Sequence, residues 1–582
     1  MNEKKDIRSA LVAGLEQITA WSGLLDRINV FPVADGDTGR NLVISLSALK
    51  RIDASPAEIA NDLLFAARGN AGNISARFFH GLIQADHLHA LPEAIRLGRD
   101  QAWQAVGDPQ PGTILTFFDE LAVRFRKKPL AITEEWVSHA IDHLTQAVRE
   151  TTERQPKLKK GGVVDSGALG MFLFFHGFLH CLIGKPEAFC PIPSLFANRI
   201  QVNPDMDRET ESGYCVDTVL EDAGRLERNQ TDLQKGLGES VVLMRSGPNL
   251  KIHLHTTDRK QARQELEKFG NVLRWSEDNL AEQMAAFEAV PEQKAIHIMT
   301  DAAGSLTRPQ AGMLGITLLD SYILIGNKSY PESCIAPEFL YSAMRKGEPV
   351  STSQASVHER RQSYRATCSL FEKVLYLCVG SAFTGNYDAA IQWKKEDDPN
   401  EALTVIDTGC AGGRLGLLAD LAAKSALETN DPEEVIAYAR EAIDHCQEYI
   451  FVDTLRYLAA GGRLSRTSAF FGDLLHKKPV ISPQADGAQK VGMVRNSEEQ
   501  VAFALRKLDS YLKNHTETAI WLEYTDNSDW LHEHVYPLII ARFPAAEISV
   551  KPMSLTTGAH IGPGAWGLAF ATPLATQVNS KK

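Results

Sequence analysis

Two aspartates flank one glycine in the stretch Ile28–Asn41, which reads Ile-Asn-Val-Phe-Pro-Val-Ala-Asp-Gly-Asp-Thr-Gly-Arg-Asn. Gly36 relaxes the backbone, so Asp35 and Asp37 can turn toward one point. Two close carboxylates repel unless a cation lies between them, and a hard divalent ion such as Mg2+ takes such oxygen ligands. Mg2+ commonly keeps waters and phosphate oxygens in its shell, which points to a nucleotide site. A tight Asx-type turn is the other reading, since Asp, Gly and Thr are all turn residues. His253 and His255 form a second group: they alternate, so they share one face of a strand, and Cys215 is a third soft ligand. Two imidazoles and a thiolate suit Zn2+; two surface histidines and a buried cysteine are the alternative. A third group lies in polar segments further on. The hydroxyls of Thr352, Ser353, Ser381 and Thr384, with Arg463 and His560, could cradle a carboxylate or phosphate. Each of those segments alone reads more readily as a helix cap.

The elements that must position these residues differ along the chain. Residues 1 to about 200 read as helix after helix. Ile7, Leu11, Leu15 and Ile18 recur at helical spacing before the aspartate loop, and Leu42, Leu46 and Leu49 continue the period after it. The glycine-bearing segments Ala67–Asn73, Pro111–Thr116 and Val164–Gly170 fall between helices. Loops of this kind let backbone N–H groups reach phosphate oxygens, and Thr38, Asn41 and Asn70 add side-chain donors. Asp165 either closes such a site or caps a helix, and Arg68 faces phosphate or solvent. Around Pro191–Glu209 the period is lost, which predicts a linker. Beyond it, Val241–Met244 and Leu250–Thr256 read as strands joined by a turn at Ser246–Asn249. From about residue 293, apolar strands alternate with helical runs: Ala295–Asp301, then Val374–Gly380 before a helix from Asn386, then Leu403–Asp407 before one from Leu415. That alternation predicts an open parallel α/β sheet with its ligand at the carboxyl ends of the strands. The expected fold class is multidomain, α and α/β.

A chain of 582 residues is too long for one core. A hydrophobic fraction of 44% and a charged fraction of 23% are those of a globular protein. The formal charge of −12 argues against nucleic acid or an anionic membrane surface as a main partner. Eight cysteines are too few for a disulfide scaffold. The most apolar run, Gly170–His180, is too short to span a bilayer, so peripheral or no membrane contact and a cytoplasmic location are expected.

Asn29–Asn41 resembles the metal loop of the ATP-binding domain of the dihydroxyacetone kinase family, above all its bacterial fatty acid kinase branch, whose loop reads much like N-V-F-P-V-P-D-G-D-T-G-T-N. The segments Ala67–Asn73, Pro111–Thr116 and Val164–Gly170 follow in the family's order. The resemblance implies an all-helical, DhaL-like barrel over residues 1–200 that holds ATP with Mg2+. Asp35 and Asp37 would be the Mg2+ ligands, and Thr38, Asn41, Asn70, Gly72, Thr113, Asp165 and Gly167 the nucleotide-binding residues. The chain departs from the family's pattern at Ala71, where a serine is usual, at Gln110-Pro111, and at Arg40, which replaces a small residue. These departures bear on ATP affinity. Gly213-Tyr214-Cys215 and His253–Thr256 resemble the middle domain of the catalytic protein of fatty acid kinase. That implies a small α/β domain over 208–290 with Cys215, His253 and His255 as a Zn2+ site.

Four later segments resemble the DegV family of fatty-acid-binding proteins. T-S-Q-P-S stands as Thr352–Ser356 with Ala355 for proline, and S-S-G-L-S-G-T-Y as Gly380–Tyr387. D-T-L-x-Y-L-x-x-G-G-R-I stands as Asp453–Leu464, and H-x-G-P-G as His560–Gly564. The resemblance implies a two-part α/β domain over 293–578 with an apolar tunnel for one acyl chain. Thr352 and Ser381, with Ser353 and Thr384 beside them, would hold the carboxylate, and Arg463 and His560 would be the catalytic basic residues at the mouth. The expected activity is that of a fatty acid kinase: ATP phosphorylates the bound fatty acid to acyl phosphate, with Mg2+ at the aspartates and Zn2+ as a further ion. An acyltransferase that accepts acyl phosphate and a second copy of the chain are the expected partners. The alternative is a fatty-acid carrier whose nucleotide domain is regulatory or inactive. A kinase for a small hydroxylated substrate is a third reading, for which no substrate domain is visible.

Overall fold

The structure is a computed structural model and describes residues 3–126, 132–203, 206, 213–222, 238–288, 295–460, 477–512 and 518–572. The chain divides into two compact units, Met1–Ala289 and Val290–Lys582. The domain bounds expected near residues 200 and 208 both fall inside the first unit.

The first unit begins with helices α1 (Glu3–Arg27), α2 (Thr38–Leu46), α3 (Pro56–Ala66), α4 (Gly69–Leu82), α5 (Leu91–Ala105), α6 (Ile114–Arg126), α7 (Glu134–Arg154), α8 (Pro156–Gly161) and α9 (Ser166–Leu182). Helix α9 is apolar all round, and a helix of that kind belongs at the centre of a bundle. Leu169, Phe172, Phe175 and Phe178 on its successive faces are all fully buried. Its aromatic rings meet Phe79 of α4 with centroids 4.5 Å from Phe174, while Phe78 stacks on Phe118 of α6 at 4.0 Å. A side-chain carbon at Gly177 would lie 2.6 Å from the Ala13 carbonyl, so this glycine lets α1 lie directly on α9. Among the described residues no helix is long and apolar enough to cross a membrane.

The helices are followed by an antiparallel sheet of β1 (Tyr214–Asp222), β2 (Glu239–Ser246), β3 (Asn249–Thr256) and β4 (Gly270–Asn279), in the order β2-β3-β1-β4. Gly247 turns the β2–β3 hairpin with φ of 56°. Val216, Leu220, Ile252 and Leu254 point to one face, where Ala262 and Leu266 of α10 (Arg259–Glu267) cover them. The strand period then sends Cys215, Asp217, Lys251, His253 and His255 to the other face. This face meets the helices. Gly107 N–H donates to the Val241 carbonyl at 3.0 Å, and Asp217 reaches into the start of α4. Helix α11 (Leu280–Glu288) closes the unit.

The second unit opens with a parallel sheet in the order β11-β10-β5-β6, as the alternation of its elements predicts. Its strands are β5 (His297–Asp301), β6 (Thr317–Leu319), β10 (Val374–Cys378) and β11 (Leu403–Asp407). A small sheet of β7 (Ser321–Ile325), β8 (Lys328–Pro331) and β9 (Val350–Gln354) lies between β6 and β10 in sequence. Helices α12 (Val357–Leu370), α13 (Asn386–Asp397) and α14 (Gly412–Glu428) follow β9, β10 and β11. A six-stranded sheet completes the unit, in the order β14-β13-β12-β17-β15-β16: β12 (Cys446–Phe451), β13 (Lys478–Gln484), β14 (Gly487–Val494), β15 (Ala519–Tyr524), β16 (Glu547–Pro552) and β17 (Trp566–Ala571). This sheet departs from the parallel expectation. The last strand, β17, enters between β12 and β15 and runs antiparallel to both, and only β15 and β16 pair in parallel. Helix α14 packs against both larger sheets through a shared core that includes Leu377, Leu418, Trp521 and Ala569.

Candidate functional site

Asp35 and Asp37 sit in the loop before α2, where Gly36 has φ of 66° and allows the two carboxylates to converge. The Asn29 amide donates to Asp35, and Gln283 of α11 donates to Asp37 at 3.4 Å. Burial, and then the charge of Asp37, push the Asp35 carboxyl well above its ordinary range. Burial also raises Asp37, against the opposing pull of Arg40. Two converging buried carboxylates, both held above their ordinary range, are the oxygen donor set that a hard divalent cation relieves, so these residues fit Mg2+.

The pair faces an open cleft with about 2000 Å3 of empty space. Thr38 and Asn41 of α2, Asn70 of α4, Thr113 before α6, and Asp165 and Gly167 at the start of α9 all line it. The first turns of four helices thus meet in one cleft. Each presents backbone N–H groups that no helical carbonyl satisfies, together with the positive end of its dipole. That is a phosphate-binding environment. Asp165 caps α9 by accepting from Ala168 N–H at 2.7 Å, and burial pushes its carboxyl up to about 6. Ser166 Oγ, which no sequence pattern singles out, donates to Thr38 Oγ1 at 3.2 Å and so fixes α9 to the aspartate loop. Gly72 stands apart from the lining residues. A side-chain carbon there would lie 2.2 Å from Ser45 Oγ, so it brings α2 and α4 together, the helices that carry Asn41 and Asn70.

Cys215 and His255 line the same cleft and stand opposite each other on β1 and β3. With His253 they offer three ligand atoms within 4.8 Å of one another. His253 is fully buried, and its Nε2 has no partner among the described residues. An unsatisfied buried imidazole nitrogen beside a thiol and a second imidazole fits a soft divalent ion such as Zn2+. Burial and the nearby carboxylates push the Cys215 thiol well up, so it stays protonated until a cation offsets them. Asp217 joins this group without any motif to announce it. It pairs across the sheet with His253, and its Oδ1 lies 3.4 Å from His253 Nδ1 and 3.2 Å from Lys251 Nζ. Its place two residues after Cys215, on the same strand face, is the one available signal.

In the second unit a cavity with about 1030 Å3 of empty space is walled mainly by apolar side chains, among them Phe383, Ile450, Leu458, Ile481 and Ile561. Its polar lining gathers Thr352, Ser353, Thr384 and His560, and Thr352 Oγ1 lies 3.2 Å from His560 Nε2. Ser381 is exposed and stands apart from the lining; its backbone N–H donates to Asp407 at 3.0 Å. Arg463 lies outside the described residues. Asn386 joins the polar lining and is anchored from behind, donating to Asp301 Oδ1 at 2.9 Å. Asp301 is wholly buried and also accepts from Tyr376 OH at 2.9 Å, Val379 N–H at 2.9 Å and Arg360 Nη1 at 3.2 Å. Thr556, at the start of the helix that bears His560, is held by the buried Glu332. That carboxyl accepts from Thr556 N–H at 2.7 Å and Oγ1 at 2.6 Å, and burial raises it to about 7. Asn386 ends a segment rich in hydroxyls, whereas Glu332 lies in a stretch with no local pattern to mark it.

Three family models match successive parts of the chain: a DAK2 domain over residues 32–180, the FakA-like middle domain of fatty acid kinase over 211–287, and the DegV family of uncharacterised proteins over 295–573. A DegV domain-containing protein of Caldanaerobacter subterraneus subsp. tengcongensis is 28% identical over 280 residues, which is 47% of this chain and 98% of that protein. Protein YloV of Bacillus subtilis is 26% identical over 341 residues, covering 50% of this chain and 60% of YloV. A fatty-acid-binding DegV family protein from Thermus thermophilus, of known structure, superposes with a TM-score of 0.45 at 23% identity, over 48% of this chain and 100% of that one.

Proposed function

We propose that this chain, which joins a DAK2 domain, a FakA-like middle domain and a DegV domain in one polypeptide, is a fatty acid kinase that carries its own acyl-binding domain. The observation that carries the reading is the pairing of two sites in one chain. One is a cleft where four helix N-termini and two aspartates converge, and the other is an apolar cavity with a hydroxyl and imidazole lining at one part of its wall.

The chemistry follows from those residues. An acyl chain in the cavity gains about 0.8 kcal/mol per buried methylene. Its carboxylate cannot be buried bare, so it needs the donors that Thr352, Ser353, Thr384 and His560 offer. Such donors can hold one carboxylate oxygen while the other attacks the γ-phosphorus of ATP. The new O–P bond forms as the bond to the β-γ bridging oxygen breaks, and ADP leaves with that electron pair. A carboxylate attacks without losing a proton, so no general base is required. Asp35 and Asp37 would hold Mg2+, which offsets charge on the phosphates. Thr38, Asn41 and Asn70, with the positive dipole ends of α2, α4, α6 and α9, would orient the triphosphate. His560 would offset the charge that builds on the transferred group. Cys215, His253 and His255 would hold Zn2+ beside the nucleotide.

The test is ATP turnover by the full chain with Mg2+ and a long-chain fatty acid, with hydroxylamine trapping of acyl phosphate. Hydroxamate that depends on both ATP and lipid supports a self-contained fatty acid kinase. Bound fatty acid with no hydroxamate and no ADP release overturns it in favour of a lipid carrier.

A further inference from the structure

We propose that Asp217 is a positioning residue that couples metal occupancy of the Cys215–His253–His255 cluster to nucleotide binding by the start of helix α4. The inference rests on the cleft being a nucleotide site and on the cluster taking a Zn2+-class ion.

The geometry is that of a two-armed strut. Asp217 is buried on β1, and its two oxygens serve different partners. Oδ1 lies 3.4 Å from Nδ1 of His253 and accepts from Asn73 Nδ2 of α4 at 2.9 Å. Oδ2 accepts from the backbone N–H of Gly69, the first residue of α4, at 3.0 Å. Lys251 Nζ stands 3.2 Å from Oδ1 and balances the charge. Both carboxylate oxygens are therefore occupied, and neither arm can move without the other.

Each arm ends at a group with work to do. On the first arm, Nδ1 of His253 stands between the Asp217 carboxylate at 3.4 Å and Cys215 Sγ at 4.0 Å, so Asp217 backs the ring edge that faces the thiol. Nε2, across the ring, has no partner among the described residues. On the second arm, Gly69 has φ of 61°, and a side-chain carbon there would lie 2.3 Å from Asn41 Nδ2. The bond to Asp217 thus sets the turn that seats Gly69 against Asn41, and the next residue, Asn70, faces the cleft with Asn41. An ion that draws His253 toward it shifts Asp217, and Asp217 shifts the peptide that begins the phosphate-facing turn. Cys215 and His255 open on the same cleft, so the two sites have no intervening shell of protein.

Linkage makes the coupling reciprocal: if Zn2+ tightens nucleotide binding by some factor, nucleotide tightens Zn2+ binding by the same factor. The expected factor is about tenfold, within the usual range for coupled sites. The experiment measures ADP affinity of the metal-stripped full chain by calorimetry, with and without Zn2+, and Zn2+ affinity by competition with a chromophoric chelator, with and without ADP. Co2+ in place of Zn2+ reports the ligand set through its thiolate charge-transfer and d–d bands. Asp217→Asn should keep the thiolate band, weaken Zn2+ about 10- to 100-fold, and bring the coupling factor to about one. Asn73→Ser, which removes one of the two bonds between Asp217 and α4 and leaves the one to Gly69, should keep Zn2+ affinity within about threefold and lower the coupling only in part. Wild-type protein that binds both ligands with no mutual effect overturns the proposal alone, as does Asp217→Asn with wild-type metal affinity. Wild-type protein that binds ADP but neither Zn2+ nor Co2+ overturns the metal reading and the proposal with it. If Asp217→Asn does not fold, the wild-type linkage decides: Zn2+ and ADP that bind with no effect on each other overturn the proposal.

Discussion

Asp301→Ala is the substitution whose cost can be followed furthest. Asp301 is wholly buried at the end of β5, and it is the partner of Arg360, itself buried on α12. Two of the three guanidinium nitrogens of Arg360, Nε and Nη2, already lack a hydrogen-bond partner among the described residues. Removing the carboxylate leaves a buried cation with no counter-charge, which costs about 3–5 kcal/mol. It also strands Val379 N–H and the Tyr376 hydroxyl and frees Asn386, which lines the acyl cavity. For a unit of this size each kcal/mol moves the midpoint by roughly 2–4 °C, so the expected fall is about 6–20 °C. Scanning calorimetry of the full chain reads it, and the loss should be confined to the transition of the second unit. Arg360→Met in the same background removes the stranded charge and should recover at least about 2 kcal/mol, a coupling that two independent losses would not show. A single-variant shift below about 2 °C, or a double variant no more stable than Asp301→Ala, would refute the stranded-charge account. Fatty acid retention should fall as well, because Asn386 loses its anchor.

Asp35→Asn with Asp37→Asn should abolish hydroxamate formation and Mg2+-dependent ADP binding while fatty acid remains bound; mass spectrometry of the purified variant and calorimetry check both halves. Thr352→Val removes a hydroxyl that lies beside His560 and should weaken fatty acid binding roughly 10- to 100-fold, as expected for a hydrogen bond to a charged group, measured by displacement of a fluorescent lipid. Glu332 is raised by burial from its ordinary 4.5 to about 7, so the folded state holds a proton there that the unfolded chain has released. Stability should therefore fall as pH rises from 4.5 to 7, by about 3 kcal/mol from this group, and Glu332→Gln should flatten that slope in urea titrations. Gly69→Ala forces a side chain into positive φ and against Asn41, and should cost about 1–3 kcal/mol in thermal unfolding of the first unit.

What the sequence makes legible is local. Asp35 and Asp37 can be found because one glycine separates them. His253 and His255 can be found because strand alternation puts them on one face, and the segments lining both cavities are visible as breaks in apolar periodicity. What escapes depends on contacts between distant elements. Gly72 sits in a nucleotide-site segment, yet its neighbour is Ser45 on another helix, and no pattern within either helix encodes that approach. Ser381 stands beside cavity residues in sequence, but its loop turns it outward toward Asp407. The mixed six-stranded sheet is hidden because β17, the final strand, completes it from within, between β12 and β15. Asp217 escapes because a carboxylate on a strand carries no signature of the histidine opposite it or of the helix beyond.

The seam between the helices and the first sheet has a consequence for how such chains can be divided. Val106 bridges to Val242, Gly107 bonds Val241, and Arg274 of β4 donates to the Phe65 carbonyl at 2.7 Å. Gly238, Glu239, Ser240 and Val241 then supply one wall of the cleft whose other walls are helical. A cut in the aperiodic stretch near residue 200, where composition alone invites it, would leave the helices with half a binding site and an apolar scar. Recombination, domain exchange or expression of fragments should respect a different border, near residue 289.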